Sequence, residues 1–478
     1  MSLYGGEMKE WIYRFFNLRQ EGTTIRREFV AGLTTYFTMA YIIFVNPAIL
    51  ALTGMDHGAV FVATILSTVI ATLIMGLYAN VPFAQAPGMG LNAFFTFTVV
   101  LIMGFTWQEA LAVVFLCGVI NFIIVVTNIR KMLIRAVPES LQYAIGGGIG
   151  LFIAYIGIKN AHLLDFTIDG AQVISATIQD GKLVTALAKD VVPGLAQFTD
   201  PMSVLAFLGL AITIVLLLLR VHGAILLGII VTTLLGLMMG IAHLPEIKPQ
   251  DFLPPSLSPT LFKLDFAGLF SPPERFFTAL SLILAFSLAD IFDTIGTFIG
   301  TGRKVGLLET KDRTPGDSPR RSKMERALFA DGIATSMGAL LGTSNVTTYV
   351  ESAAGISAGG RTGLTSVFTA LFFVLSLFMA PFALMVPAAA TAAALIVVGI
   401  LMMENIARVA WDNFEEAAAA FFTVVTMPFT YSISNGVAAG FIFYVLAKLV
   451  RGKGRQVHPL MFIVTGLFLL NFIVDALQ

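Results

Sequence analysis

The sequence predicts an all-α polytopic membrane protein built from two inverted sets of seven spans. Three observations carry that prediction. The 478-residue chain is 57% hydrophobic and only 12% charged, with mean hydropathy +0.87, against about 25% charge in a soluble domain. Two polar breaks interrupt its apolar stretches at corresponding places in the two halves: Phe83-Ala84-Gln85-Ala86-Pro87-Gly88-Met89-Gly90-Leu91-Asn92 and Gly342-Thr343-Ser344-Asn345-Val346-Thr347-Thr348-Tyr349-Val350-Glu351. Short motifs also recur in the same order. Arg27-Glu28-Phe29 and Glu274-Arg275-Phe276 open spans one and eight, Val137-Pro138 and Val386-Pro387 open five and twelve, and His222-Gly223 and Asn435-Gly436 open seven and fourteen. Seven is odd, so two such repeats must be inverted relative to each other.

A helix crosses a bilayer with about 20 apolar residues. Apolar stretches run at 29–50, 59–79, 91–105, 109–127, 139–158, 202–220 and 223–243 in the first half. The second half has 277–300, 326–341, 350–358, 364–381, 387–403, 416–432 and 435–450. A further stretch, 458–475, follows Arg451, Lys453 and Arg455 and reads as a fifteenth span or a hairpin. Residues 1–27 are charged throughout and lack the pattern of a cleavable signal. Trp11, Phe15 and Phe16 alternate there with Lys9, Arg14 and Arg19, which predicts an interfacial amphipathic helix. A disordered tail is the alternative.

Orientation follows from the basic loops. Arg26 and Arg27 precede span one; Arg130, Lys131 and Arg135 follow span four; Arg303, Lys304, Lys311, Arg313, Arg320, Arg321, Lys323 and Arg326 follow span eight. These predict a cytoplasmic N-terminus and a cytoplasmic 303–326 loop. The net charge is zero, which argues against a nucleic-acid partner. The single cysteine, Cys117, lies in an apolar run and reads as a buried, inert thiol.

Backbone that leaves the helix inside lipid must be satisfied by protein or line a cavity. The paired breaks in spans three and ten therefore point to a midplane binding site, each with a short extended piece ahead of its helix. Acids gather near them. Asp290, Asp293, Asp331 and Glu351 fall within spans, and an acid at a helix centre costs about 2.5–3.5 kcal/mol. Asp290 and Asp293 are three residues apart, on one helix face. No Lys or Arg lies centrally to neutralise them, which predicts a proton-coupled or cation-coupled site. Structural roles are the alternative: Asp293 bracing Thr294-Ile295-Gly296-Thr297, and Asp331 sitting near a span end. At the other break Gly88 and Gly90 admit close approach to a ligand, and the following helix offers free N–H donors. Asn92 either lines that site or caps its own helix. Gly88-x-Gly90 lacks the third glycine of a dinucleotide fingerprint.

The segments Arg27-Glu28-Phe29-Val30-Ala31-Gly32-Leu33-Thr34-Thr35-Tyr36-Phe37-Thr38-Met39-Ala40-Tyr41, Ala86-Pro87-Gly88-Met89-Gly90-Leu91-Asn92-Ala93-Phe94, Asp290-Ile291-Phe292-Asp293-Thr294-Ile295-Gly296-Thr297 and Gly342 to Ser352 are similar to those of the AzgA-type purine permeases, relatives of the nucleobase–cation symporter-2 transporters. The resemblance implies a uracil-permease-like fold with a core domain (28–127 and 277–381), a gate domain (132–243 and 385–450), and a C-terminal segment (451–478) of open topology. It implies adenine, guanine and hypoxanthine as substrates, carried with protons or alternatively sodium. Asp290 and Glu351 would bind the purine, Asn92 and Gly90 would line the opposite side, and Asp293 and Asp331 would support coupling. Phe94 or Tyr349 would stack on the ring. No cofactor or metal is implied, a homodimer is left open, and the expected location is the plasma membrane, the inner one in a bacterium. The alternatives are another nucleobase or a small anion on the same fold, which the acids oppose. A metal-ion carrier is another, but the five histidines show no ligand spacing. An intramembrane aspartyl protease would need facing acids on two helices.

Overall fold

A computed structural model describes residues 2–127, 136–168, 173–179, 182–187, 191–196, 198–244, 248, 252–271, 275–302, 323–383 and 385–477. Arg130, Lys131, Arg135, Glu274 and Arg303 to Arg321, which carry part of the orientation and repeat arguments, lie outside the described residues. Helix α1 (Ser2–Phe15) leaves Trp11 and Phe15 exposed but is followed by Phe16 and Leu18, both buried with Leu364. Thr24 caps α2 (Ile25–Met39) by accepting the Arg27 N–H. Span one then breaks at Ala40-Tyr41 before α3 (Ile42–Leu50), where the sequence reads as one stretch.

Asp56 caps α4 (His57–Ile74), whose last turns widen to a π-helix at Met75–Ala79. Strand β1 (Gln85–Pro87) leads into α5 (Met89–Ala93), continued as a π-helix over Phe94–Ile102. A reciprocal Thr106/Glu109 capping box starts α6 (Trp107–Val126), and α7 (Glu139–Asn160) follows Pro138. Strands β2 (Leu164–Ile168), β3 (Val173–Gln179), β4 (Lys182–Leu187) and β5 (Val191–Leu195) precede α8 (Pro201–Leu218) and α9 (Ala224–Met238).

The second half holds α10 (Phe266–Leu269), α11 (Phe276–Gly302), α12 (Lys323–Leu341), β6 (Val346–Thr348), α13 (Ser352–Ser357) and α14 (Gly363–Leu375). A 3₁₀ turn over Ser376–Met379 leads to α15 (Ala380–Ala383), then α16 (Ala388–Met402), α17 (Phe414–Thr430), α18 (Ile433–Val450) and α19 (Pro459–Leu477). Among the described residues nine helices are long and apolar enough to cross a membrane. Other spans are shorter, as in Met89–Ile102 and Ala224–Met238. Residues 459–477 form one helix packed on α18 and α11, so the hairpin alternative falls.

Two relationships display the internal symmetry. Pro138 and Pro387 are the N-caps of α7 and α16, and Gly150 and Gly399 each lie twelve residues further on. There the two helices cross almost backbone to backbone. A Cβ on Gly150 would stand 2.8 Å from the Gly399 carbonyl, and one on Gly399 would stand 2.6 Å from the Gly150 carbonyl. Small residues at such a crossing let membrane helices approach closely. The second relationship is the antiparallel pairing of β1 with β6, which brings the two breaks together.

The membrane-helical fold class holds, and the loop between spans five and six adds strands to it: two antiparallel two-stranded sheets, β2 with β5 and β3 with β4. The signal is local: β-branched Val173-Ile174-Ser175-Ala176-Thr177-Ile178, with Asp180-Gly181 before the next strand in sequence, a hairpin-favouring dipeptide. In a chain dominated by apolar helices, this short polar segment reads as a loop.

Candidate binding site at the paired breaks

The breaks satisfy each other. Gln85, Ala86 and Pro87 lie opposite Thr348, Thr347 and Val346. The ladder continues at both ends, with Gly88 N–H donating to the Asn345 carbonyl at 2.8 Å and Tyr349 N–H to the Ala84 carbonyl at 3.0 Å. Ala84 N–H donates to Ser352 Oγ at 3.0 Å, and the Tyr349 hydroxyl donates to the Pro87 carbonyl at 2.5 Å. Val346-Thr347-Thr348 is β-branched throughout, which suits a strand. Helices α5 and α13 leave this strand pair with their N-terminal ends beside it. The first intrahelical bond of α5 is Asn92 N–H to the Gly88 carbonyl, so Met89, Gly90 and Leu91 carry the first-turn N–H groups that lack intrahelical partners.

Alternation along β6 separates the acids. Successive strand side chains point to opposite faces. Thr347 Oγ1 donates to Asp293 Oδ2 at 3.4 Å, while Thr348 Oγ1 donates to Asp331 Oδ1 at 2.9 Å. Asp331 also accepts from Gln85 Nε2 and Thr294 Oγ1, each at 2.9 Å. It thus pins both strands to α11 and α12 from inside the span, where the sequence suggests a position near a span end.

Asp290 belongs to a different set of contacts from Asp293, although α11 carries both. Its Oδ2 accepts from Asn121 Nδ2 of α6 at 2.7 Å and from Thr335 Oγ1 of α12 at 3.1 Å. Asp290 is fully buried, and its Oδ1 finds no partner among the described residues. Ser287 Oγ donates to Asn121 Oδ1 and completes the cluster. Cys117 is buried beside it, with Asn345 Nδ2 at 3.2 Å from its sulfur.

Glu351 is the N-cap of α13 and half-buried. Its Oε1 accepts from the Tyr41 hydroxyl at 2.7 Å. A carboxylate at a helix N-terminus interacts favourably with the helix dipole. Asn92 is fully buried, and its Oδ1 accepts from Ser344 Oγ, which fixes the turn before β6. Gly90 has a packing reason: a Cβ there would lie 2.3 Å from Ile149 Cγ2 of α7. Phe94 is fully buried and stacks on Phe286 at 4.4 Å.

The arrangement therefore offers carboxylate acceptors at Glu351 and Asp293 beside N–H donors at two helix starts. Tyr41, Thr347, Thr348, Gln85, Asn121 and Thr335 are the partners that residue-by-residue reading of the acids misses. The available signal is their chemistry, since a hydroxyl or amide inside an apolar span has to find a hydrogen-bond partner.

A family model described as Permease family (Xan_ur_permease) matches residues 26–439. The chain is 43% identical to a putative permease of Methanocaldococcus jannaschii, over 97% of this chain and 98% of that one. It is 40% identical to the adenine permease AdeP of Escherichia coli K12, over 97% and 96% of the two chains. It is 38% identical to the guanine/hypoxanthine permease PbuO of Bacillus subtilis 168, over 96% and 100%. The transmembrane domain of the cyanobacterial bicarbonate transporter BicA superposes with TM-score 0.58 at 14% identity, covering 87% of this chain and 97% of that one. That likeness fixes the seven-plus-seven inverted-repeat fold.

Proposed function

Because the chain belongs to the permease family whose model spans residues 26–439, we propose that this multi-pass membrane protein imports purine nucleobases, namely adenine, guanine or hypoxanthine, across the plasma membrane by proton symport. The observation that carries the reading is the pair of broken segments, with Glu351 at the head of the second half-helix. A purine presents N–H donors and ring-nitrogen acceptors in one plane. Glu351 and Asp293 accept from the donors, and the first-turn N–H groups at Gly90 and its neighbours donate to the acceptors. Asn92 holds the Gly342–Asn345 turn that faces α5. Tyr349 fastens the strand pair, and Phe94 stacks on Phe286 of α11.

Asp290 takes a different role from the ring contact expected of it. Its side chain is turned toward α6 and α12, with one buried carboxylate oxygen left without a hydrogen-bond partner among the described residues. Asp290 holds the coupled proton, and Asp331 keeps the strand pair in register. The core elements of residues 28–127 and 277–381 carry the loaded site past the gate elements of 132–243 and 385–450. Proton uptake neutralises the site before it moves, which lowers the desolvation cost.

Uptake of radiolabelled adenine, guanine and hypoxanthine in cells lacking their own purine transporters tests this function. Accumulation abolished by a protonophore is the expected result. No uptake of any purine would overturn the function. Accumulation that survives the protonophore and stops when sodium is removed would replace the coupling ion.

A further inference from the structure

A cavity of about 520 Å³ lies at the seam between span one and span seven and is lined by α2, α3 and α9 with the α15 region. Its wall is apolar. Of its polar lining groups, the Tyr36 hydroxyl is hydrogen-bonded to Ser376 Oγ at 2.8 Å, and Thr233 Oγ1 donates to the Ile229 carbonyl of its own helix at 2.8 Å. Both hydroxyls are already engaged with the protein, so the cavity offers little to a hydrogen-bonding purine or to water.

Phe37, which lines the groove, meets the start of α9 at Gly223, at φ +73, where a Cβ would lie 2.9 Å from the Phe37 carbonyl. Ala40 and Ile229 line the groove and are buried, 1% and 2% exposed. Ile230, Leu234 and Phe382 stand at the mouth, all exposed. They are continuous with the apolar surface that these helices turn to the hydrocarbon. The material at that mouth in a bilayer is acyl chain, and a void left empty would forfeit the dispersion contacts of its lining.

We propose that this groove is a lipid site that takes one acyl chain, laid against the break between α2 and α3. The position has a consequence, which rests on the purine-site reading. Ala40 forms the groove wall, and the next residue, Tyr41, donates to Glu351. A chain seated in the groove therefore braces the break that aims Tyr41 at the site.

The test uses full-length protein in liposomes containing phosphatidylcholine with a diazirine on one acyl chain, irradiated and mapped by peptide mass spectrometry. Adducts are expected on the inner-wall residues Ala40 and Ile229. Ile230→Trp, at an exposed position, and Thr233→Phe, which fills the interior, are each expected to lower those adducts about fivefold or more, since a filled groove leaves no room for a chain. Leu218→Trp, on an exposed position outside the groove, should leave them unchanged. Adducts confined to Leu234 and other exposed residues, or inner-wall adducts indifferent to Ile230→Trp, would overturn the lipid site. A change in purine KM with Ile230→Trp is expected if the chain braces Tyr41, and an unchanged KM alongside lost labelling would overturn the bracing. A wild-type protein that takes up no purine would sink the purine reading while the labelling still decides the lipid site.

Discussion

The Tyr41 hydroxyl donates to Glu351 Oε1 at 2.7 Å, joining the break in span one to the start of the half-helix in span ten. Both ends of this bond lie where a helix stops or starts. It ties the orientation of the site carboxylate to the α2–α3 break, and gives Glu351 a fixed direction that its half-buried position alone would not.

Tyr41→Phe removes the donor and keeps the ring. A hydrogen bond to a charged group contributes about 1.5–3 kcal/mol, so purine uptake should weaken by roughly one to two orders of magnitude, chiefly through KM. Initial-rate kinetics in whole cells measure this. Wild-type kinetics would mean that the bond does not position Glu351 for substrate.

Asp331→Ala should damage the strand pair. Truncation leaves the Gln85 amide and the Thr348 hydroxyl, which both donate to Asp331, without their acceptor. A loss of about 2 kcal/mol or more is expected, read as a lower melting temperature of the purified protein together with lost transport. Full stability with full transport would remove Asp331 from the scaffold.

Glu28 offers a test away from the site. Fully buried, it accepts from the N–H groups of Arg361, Thr362 and Thr365 and from the Thr365 hydroxyl at 2.6 Å, capping α14 from span one. Glu28→Ala leaves these donors unmet and should cost roughly 3 kcal/mol, with Glu28→Gln intermediate. Thermal unfolding in detergent checks the order wild type, Gln, Ala.

Gly399→Val should fail at the α7–α16 crossing. Its Cβ would meet the Gly150 carbonyl at 2.6 Å, and overpacking of this kind costs about 1–3 kcal/mol. Reduced yield of folded protein by size-exclusion chromatography is the expected outcome. A valine at Ala388, the first and less enclosed residue of α16, is the control.

Much of this architecture is legible in the sequence because a bilayer enforces it. A polar, glycine-rich interruption such as 83–92 or 342–351 stands out against apolar spans, and Pro138 and Pro387 mark matching helix starts. What sequence spacing does not reveal is direction. Asp290 and Asp293 share a helix face by spacing, yet a rotation of less than a turn sends one to Asn121 and Thr335 and the other to Thr347. The alternation of Thr347 and Thr348 that sorts the acids depends on the register of β1 with β6, a contact across some 260 residues. The break at Ala40-Tyr41 is equally silent, since apolar residues flank it on both sides and neither glycine nor proline marks it.

The central claim is that the paired breaks and Glu351 form a purine site. Equilibrium binding of radiolabelled adenine, guanine and hypoxanthine to purified wild-type protein and to Glu351→Ala, with matching melting temperatures as the folding control, tests it most directly. The account predicts saturable binding of at least one purine by wild type and its loss in Glu351→Ala. Equal affinity in the two proteins would contradict it.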